Sequence, residues 1–321
     1  MSLTTALKPP AEAGGGRRFF LVGYLPLFAS LVFLLLLVWA GARGWATPAG
    51  GGLSFSQAWT TVAELGIGEV LLLVLGVTLA AVLLQPLQLA LVRAMEGTGP
   101  RWPGSGAATS RQRRRRQRLR DAARLPQNDP SALTPERIQR AGEAGRRLRQ
   151  NFALPDHVIR PTTLGNVLAA TEDGAGRAYG LDAAVSWPRL YPVLGGDVRA
   201  LVDERRDGLD SAARTAAVMT VTTVASSVLL MRTGWWLALA LVPLFLCLLA
   251  HRGAVHAGLA YGELVHVAFD LHRFDLVKAL CLEPPTGQAA ERTLNRELSD
   301  FWRQGLPIDP ARDYTHGGST P

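Results

Sequence analysis

The sequence predicts an all-α membrane protein with four transmembrane helices, arranged as two helical hairpins, and a mainly helical cytoplasmic domain formed by the central loop and the C-terminal tail. Two observations predict this fold class. Four apolar stretches contain no Lys or Arg, although the chain of 321 residues has 34 of them. The basic residues outside these stretches also collect on one side. Because a charge at mid-bilayer costs on the order of 3 kcal/mol on insertion scales, this partition is typical of membrane spans.

The four spans are predicted at residues 19–42, 65–92, 215–231 and 235–250, with an external loop at 43–64. The first span is long enough to cross a bilayer, whereas the apolar part of a secretory signal usually has only about 7–15 residues. Basic residues precede this segment and small residues at 40–42 end it, so its cleavage as a secretory signal stays an alternative. The third span is close to the lower length limit of about 17 residues, so a re-entrant hairpin formed by the third and fourth segments stays an alternative.

The distribution of Lys and Arg predicts the orientation. The N-terminal arm has 3, residues 93–214 have 22 and the tail after residue 250 has 7, whereas the two remaining connections have 1 each. Basic residues near span ends stay in the cytoplasm, so both termini are predicted to be cytoplasmic, in the inner membrane of a bacterium. Tryptophans agree, because five of them lie near the predicted outer ends: Trp39, Trp45, Trp59, Trp235 and Trp236.

The most basic part of the chain is the central loop. Residues 93–150 are predicted to be a largely disordered linker. Its block of eight arginines between 111 and 124, with a single acid, Asp121, favours either disorder or a solvated helix. Such a cluster next to a membrane attracts anionic headgroups. The predicted lipid-binding residues are Arg111, Arg113, Arg114, Arg115, Arg116 and Arg118. The alternative is that these arginines only enforce the membrane topology. No nucleic acid partner is expected, because no aromatic side chains alternate with the arginines. Residues 1–18 and 305–321 are also predicted to be disordered.

Two folded cytoplasmic segments are predicted, at 151–214 and 251–304. Thr162 is a candidate N-cap for a helix at its C-terminal side, and a second helix begins near Asp197 and continues into the third span. The fourth span should likewise continue as a helix to about Leu282, before two prolines. Pro188 and Pro192 are predicted to prevent a regular helix between these elements.

Several strings in these segments resemble an uncharacterised family of multi-pass membrane proteins from GC-rich, actinobacterial-type bacteria. They are Leu-Gly-Asn-Val-Leu at 164–168, Tyr-Gly-Leu-Asp at 179–182, Trp-Pro-Arg-Leu-Tyr-Pro at 187–192 and the motif from Tyr261 to Asp275; the end of the second span at 85–97 is also similar. That family has no assigned function. The resemblance therefore implies no activity, cofactor or catalytic residue, and only suggests that these strings form one cytoplasmic unit.

The tail carries a cluster of polar residues. Glu263, His266 and Asp270 lie on one helix face, but a di-iron carboxylate site needs a second Glu-x-x-His, which the sequence lacks. No metal, cofactor or catalytic residue is therefore predicted. Asp270 and Asp275 are instead expected to pair with Arg189 or Arg199. The full predicted docking set is Trp187, Arg189, Tyr191, Asp270, His272, Arg273 and Asp275.

Polar residues inside the spans suggest a second function class. Thr220, Thr223 and Ser227 form one stripe on the third span, and Glu69, Gln85 and Gln88 lie in the second. A stripe of hydroxyls lines a pore or packs helices together. The leading hypothesis is a non-enzymatic scaffold that presents its helical unit to a protein partner or to anionic lipid. The alternative is an oligomeric channel or transporter in which the third span lines the pore. Cys247 and Cys281 are expected to be reduced and structural.

Overall fold

The computed structural model describes residues 25–48, 51–83, 85–98, 104–125, 133–309 and 314. In these ranges the regular structure is helical, with one isolated antiparallel bridge between Leu282 and Tyr314. The prediction of an all-α chain is confirmed. The predictions for residues 1–18, for the start of the first span and for most of 305–321 lie outside the described residues.

The described chain divides into two compact units. The apolar unit comprises the residues up to Met95 together with Gly208–Ala254, and the charged unit comprises Glu96–Asp207 together with the residues from Val255 onward. Both divisions fall inside long helices, which run without interruption over Gly196–Leu230 and Leu241–Ala279. These long helices were predicted from the absence of a strong breaker after Asp197 and after the fourth span.

The apolar unit begins with α1 (Leu25–Trp39), α2 (Phe55–Glu64), α3 (Ile67–Leu83) and α4 (Gln85–Met95). Its remaining helices are the C-terminal part of α9 (Gly196–Leu230) and the N-terminal part of α10 (Leu241–Ala279), which follows a 3-10 helix at Gly234–Ala240. Three helical segments are long and apolar enough to cross a membrane, or four if a bent pair of helices counts as one span. The protein is therefore a membrane protein by the length and composition of its helices.

The bent pair lies where the sequence predicts an external loop followed by one straight span. Phe55–Glu64 and Ile67–Ala80 meet at 112°. Within 65–92 the described residues are helical in α3 and in α4. The break has local causes, because Leu65 after α2 has an extended backbone and Glu69 accepts from the Gly66 amide at 3.0 Å. Ser54 caps the other end of α2 by accepting from the Gln57 amide. The carboxylate of Glu69 therefore caps the start of α3, which satisfies an otherwise unpaired backbone donor.

A small core lies at one end of the apolar unit. Its buried members are Leu37, Ala40, Ala42, Leu53, Ala58 and Leu230, and Trp236 packs against them. The rings of Phe55 and Trp236 are 5.5 Å apart. Away from this cluster most large side chains point outward, as expected for helices that lipid surrounds.

The charged unit contains α5 (Ser105–Ala123), α6 (Pro135–Asn151), α7 (Thr163–Gly174), α8 (Ala183–Leu190) and α11 (Gln288–Gln304), together with the outer parts of α9 and α10. Consecutive helices from α5 to α8 pack on one another, and α11 packs on α8. Its buried centre includes Trp187 and Phe269, with ring centroids 5.9 Å apart.

The prediction of a largely disordered linker at 93–150 is wrong for two of its segments, which form α5 and α6. Partners distant in the sequence explain the difference. Asp156 and the carbonyl of Leu154 bind the guanidinium of Arg116, and Gln112 donates to Thr163 Oγ1 at 3.2 Å. The second helix has its own local start, because Thr134 caps it and Pro135 occupies its first turn.

The prediction that two prolines prevent a helix is also wrong. Residues Ala183–Leu190 are helical with Pro188 inside, and a 3-10 helix follows at Tyr191–Val193. A proline removes one backbone donor, which a helix of two turns tolerates when its start is well capped. Asp182 provides that cap by accepting from the Ala184 amide at 3.0 Å. Thr162 caps α7 as predicted, since its hydroxyl accepts from the Gly165 amide at 3.0 Å.

Candidate functional site

The arginine helix α5 is the most charged element of the described chain. Three of its predicted lipid-binding residues, Arg111, Arg114 and Arg118, are exposed and follow the i, i+3, i+7 spacing of one helix face. Within the described residues none of the three has a carboxylate partner. We call these three residues the outward stripe. Their guanidinium groups are therefore available to an anionic surface.

Not every arginine of this helix is available. Arg116, predicted to bind lipid, is buried and donates to Asp156 and to the carbonyl oxygen of Leu154. The prediction is wrong for this residue, because a guanidinium that holds two parts of the fold together cannot reach a membrane. Arg113 and Arg115 are exposed, and Arg115 lies 3.4 Å from Thr163 Oγ1.

The predicted docking residues differ in exposure: Trp187 is buried, whereas Arg189 and Asp270 are exposed. Trp187 has no exposed area, and its ring lies 6.0 Å from that of Tyr191. The phenol of Tyr191 donates to Asp203 at 2.5 Å, and burial followed by this hydrogen bond raises the pKa of Tyr191 to about 12. Trp187 therefore belongs to the core of the charged unit and cannot contact a partner directly.

The expected ion pairs between the tail aspartates and Arg189 or Arg199 do not form. Arg189 donates to the carbonyl of Val185 at 2.6 Å and lies over the ring of Trp302. Arg199 donates to the carbonyl of Pro192 at 2.8 Å and lies over the ring of Tyr191. Both guanidinium groups thus complete local backbone hydrogen bonding.

The tail residues bind other elements of the charged unit. Tyr179 donates to Asp270 at 2.8 Å, and Arg273 lies 2.8 Å from a carboxylate oxygen of Glu291 with its guanidinium over the Tyr179 ring. Burial, then the hydrogen bond to Asp270, raises the pKa of Tyr179. His272 pairs with Asp275 at 2.9 Å on its own helix. Sequence reasoning identified the cluster but missed Tyr179 and Glu291, which lie in other segments.

A cleft of about 220 Å³ contains Glu263 and His266 on one wall and Arg149 and Thr171 on the other. The helices approach closely here, because a Cβ at Gly262 would lie 2.3 Å from Thr171 Oγ1. Desolvation lowers the pKa of His266, although the charges of Asp270 and Glu263 oppose it. Among the described residues no three His, Cys, Asp or Glu side chains are grouped as metal ligands.

The hydroxyl stripe of α9 makes hydrogen bonds within its own helix. Thr220 and Thr223 donate to backbone carbonyls one turn earlier at 2.8 and 2.7 Å, and Thr220 also contacts the sulfur of Cys247 at 3.1 Å. Ser227 is half-buried on the same face. The side chains of Gln85 and Gln88 lie outside the described residues.

Comparison of the chain with protein-family models, with curated proteins and with solved structures gave no match. The family resemblance of the sequence strings therefore stays a prediction.

Proposed function

We propose that this protein is a non-enzymatic membrane scaffold whose charged unit adheres to anionic lipid headgroups through the outward stripe, Arg111, Arg114 and Arg118. The observation that carries the proposal is the exposure of three guanidinium groups on one helix face with no carboxylate partner in the described residues. The folded helix presents them together, whereas a disordered linker would separate them.

The proposed location is the cytoplasmic face of a bacterial inner membrane, with four spans and both termini in the cytoplasm. Support comes from the 22 Lys and Arg residues at 93–214, against 1 at the first and 1 at the second predicted external connection. The cytoplasmic leaflet is the anionic one, and each basic residue near such a surface contributes about 1 kcal/mol. The outward stripe would therefore stabilise adhesion by about 3 kcal/mol at low salt.

Hydrogen exchange of the full-length protein in lipid nanodiscs tests the proposal. Binding to the folded helix suppresses the openings through which its amides exchange, so peptides from α5 should exchange more slowly in discs that contain phosphatidylglycerol than in phosphatidylcholine discs. The slowing should disappear at high salt, because exposed charge pairs are screened.

A matched pair of variants distinguishes adhesion through the outward stripe from a general effect of positive charge. R111Q/R114Q/R118Q should abolish the effect of phosphatidylglycerol on α5. R137Q/R140Q/R147Q removes the same charge from exposed positions of α6 and should leave it intact. Equal exchange in both lipids for the unmodified protein, or equal loss in both variants, would refute adhesion through the outward stripe.

The channel alternative has less support. The hydroxyls of Thr220 and Thr223 donate to carbonyls of their own helix, which is also how threonine is accommodated in packed membrane helices. A pore around α9 would require several copies of the chain. Thr223→Leu would then reduce ion flux in liposomes, and a flux that this substitution blocks would favour the channel.

A further inference from the structure

A cleft of about 480 Å³ lies on another face of the arginine helix, where α5 meets the 3-10 helix at Asp156–Val158. Its walls include Arg113, Arg116 and Arg120 from α5, with Asp156 and His157 from the facing segment. This volume is within the range of about 300–1,000 Å³ typical of small-ligand sites. We call it the arginine cleft.

The three arginines are brought to one wall by helical spacing. Positions 113, 116 and 120 follow i, i+3, i+7, so their guanidinium groups project in the same direction over about 10 Å of helix. The outward stripe at 111, 114 and 118 is displaced from them by about half a turn, since each residue advances by about 100°. One helix thus presents two separate basic faces.

The arginine cleft has more positive than negative charge. Among the described residues Asp156 is the one carboxylate on its walls, and a single oxygen, Oδ1, interacts with Arg116 and, at 3.4 Å, with Arg120. Three guanidinium groups against one carboxylate leave a surplus of two positive charges. Arg113 has no carboxylate partner within the described residues.

The three side chains differ in how firmly they are held. The side chain of Arg116 is 5% exposed and fixed by Asp156 and the Leu154 carbonyl, so it shapes the floor of the cleft. Arg120 is 39% exposed, and its long contact to Asp156 leaves other N–H groups unused. Arg113 and the imidazole of His157 are exposed at the rim. A fixed base with two adjustable donors above it suits a compact anion with several acceptor oxygens.

We propose that the arginine cleft binds a phosphomonoester. At neutral pH this group carries about two negative charges and three acceptor oxygens, which matches the surplus charge and the free guanidinium donors. A phosphodiester has one charge fewer, and a nucleic acid would need aromatic side chains for stacking, which the described residues of the cleft walls do not provide. The phosphomonoester is either a soluble metabolite or the headgroup of a lipid such as phosphatidate.

This site does not depend on adhesion through the outward stripe, because the two sets of arginines share no residue. The test is isothermal titration of the full-length protein in phosphatidylcholine nanodiscs with glycerol 3-phosphate. A second arm compares native mass spectra of discs that contain phosphatidate with those of discs that contain phosphatidylglycerol. Saturable binding of glycerol 3-phosphate identifies a soluble ligand, and selective retention of phosphatidate identifies a lipid headgroup; either result supports the proposal.

Two double variants with the same charge change decide whether the cleft is responsible. R113Q/R120Q should weaken binding of the phosphomonoester about tenfold or more, since hydrogen bonds to a charged group are strong. R111Q/R114Q should keep the original affinity for glycerol 3-phosphate and the original preference for phosphatidate over phosphatidylglycerol. R113K/R120K should also weaken binding although it preserves the charge, because lysine cannot form the bidentate pair. An unchanged exchange pattern of α5 in each variant shows that the helix is still folded.

Two results would overturn the proposal. One is the absence of saturable binding for glycerol 3-phosphate together with no preference for phosphatidate. The other is an equal loss of binding in R113Q/R120Q and R111Q/R114Q. Neither result bears on adhesion to phosphatidylglycerol, which R113Q/R120Q should retain.

Discussion

Large apolar side chains are exposed more often in the apolar unit than in the charged unit. In the apolar unit Leu71, Leu72 and Phe245 are 65%, 69% and 61% exposed, whereas in the charged unit Trp187 and Phe269 have no exposed area and exposed side chains such as Leu271 are fewer. Water would penalise the exposed apolar surface by about 25 cal/mol for each Å². The difference is the one expected if lipid surrounds the apolar unit and water surrounds the charged unit.

The polar groups differ in one respect. In the apolar unit hydroxyls bond within their own helix, as Thr223 does with the Met219 carbonyl at 2.7 Å. In the charged unit several hydroxyls do the same, as Thr171 does with the Val167 carbonyl, but the phenols also connect separate segments, as Tyr191 does with Asp203. Helices in lipid must satisfy their polar groups locally, whereas a water-soluble fold uses them to fix tertiary structure.

The largest expected effect comes from one substitution made in both units. Leu190→Ala removes a fully buried side chain from the charged unit and should lower its free energy of unfolding by about 2–5 kcal/mol. Leu72→Ala, at an exposed position of α3, should change stability by less than about 0.5 kcal/mol. Urea unfolding in nanodiscs, followed by near-ultraviolet circular dichroism, measures both. Equal effects would contradict the difference between the units.

An introduced charge should have the larger effect in the apolar unit, whereas the Leu→Ala substitution has the larger effect in the charged unit. Leu72→Arg places a guanidinium within the proposed second span and should reduce insertion by about 3 kcal/mol if the residue lies near mid-bilayer. Leu201→Arg, at an exposed position of the charged unit, should be tolerated within about 0.5 kcal/mol. The inserted fraction in microsomes, read by engineered glycosylation sites, checks this prediction. Efficient insertion of Leu72→Arg would place α3 outside the bilayer core.

A smaller effect is expected when a cross-segment hydrogen bond is removed. Tyr191→Phe should destabilise the charged unit by about 1 kcal/mol, since Asp203 loses its phenol donor. The pKa of this phenol is raised from 10.0 to about 12, so the folded state retains the proton longer than the unfolded chain. Its contribution to stability is therefore complete below pH 10 and lost as the pH rises through about 12. Ultraviolet titration should show that the variant loses one late-titrating tyrosine while Tyr179, whose pKa is also raised, is retained.

The smallest effect concerns pH. Because desolvation lowers the pKa of His266, the unfolded chain binds its proton more readily, and stability of the charged unit should fall as the pH drops below about 6.5. His266→Gln should reduce this acid sensitivity, whereas His157→Gln, on the wall of a different cleft, serves as the control. Comparison of melting temperatures at neutral and mildly acidic pH measures the effect. An identical pH dependence for both variants would show that His266 does not contribute.

The sequence predicted those elements whose causes are local. Runs without charge predicted apolar helices, and the hydroxyl of Thr162 before an apolar run predicted the start of α7. The bend between α2 and α3 was missed, although Glu69 carries the capping signal for the start of α3 directly after the break. That signal was obscured by the apolar residues around it.

Elements that depend on distant partners could not be predicted. The density of arginines favoured disorder at 93–150, and only the fold reveals that Asp156 binds Arg116 from the next segment. The division of α5 into an outward stripe and an arginine cleft was available from helical spacing alone, once the helix was assumed. The tail aspartates were assigned to the wrong arginines, because sequence cannot rank Tyr179 against Arg189 as a neighbour of Asp270.

The central claim is that the two units have different solvents, and hydroxyl-radical footprinting of the full-length protein in nanodiscs tests it most directly. Phe245 in the apolar unit and Phe301 in the charged unit are 61% and 43% exposed, and Leu71 and Leu271 are 65% and 61% exposed. We predict rapid oxidation of Phe301 and Leu271 by the water-borne radical, with Phe245 and Leu71 protected by lipid. Oxidation of Phe245 as fast as Phe301 would contradict the account, because it would show water around the apolar unit.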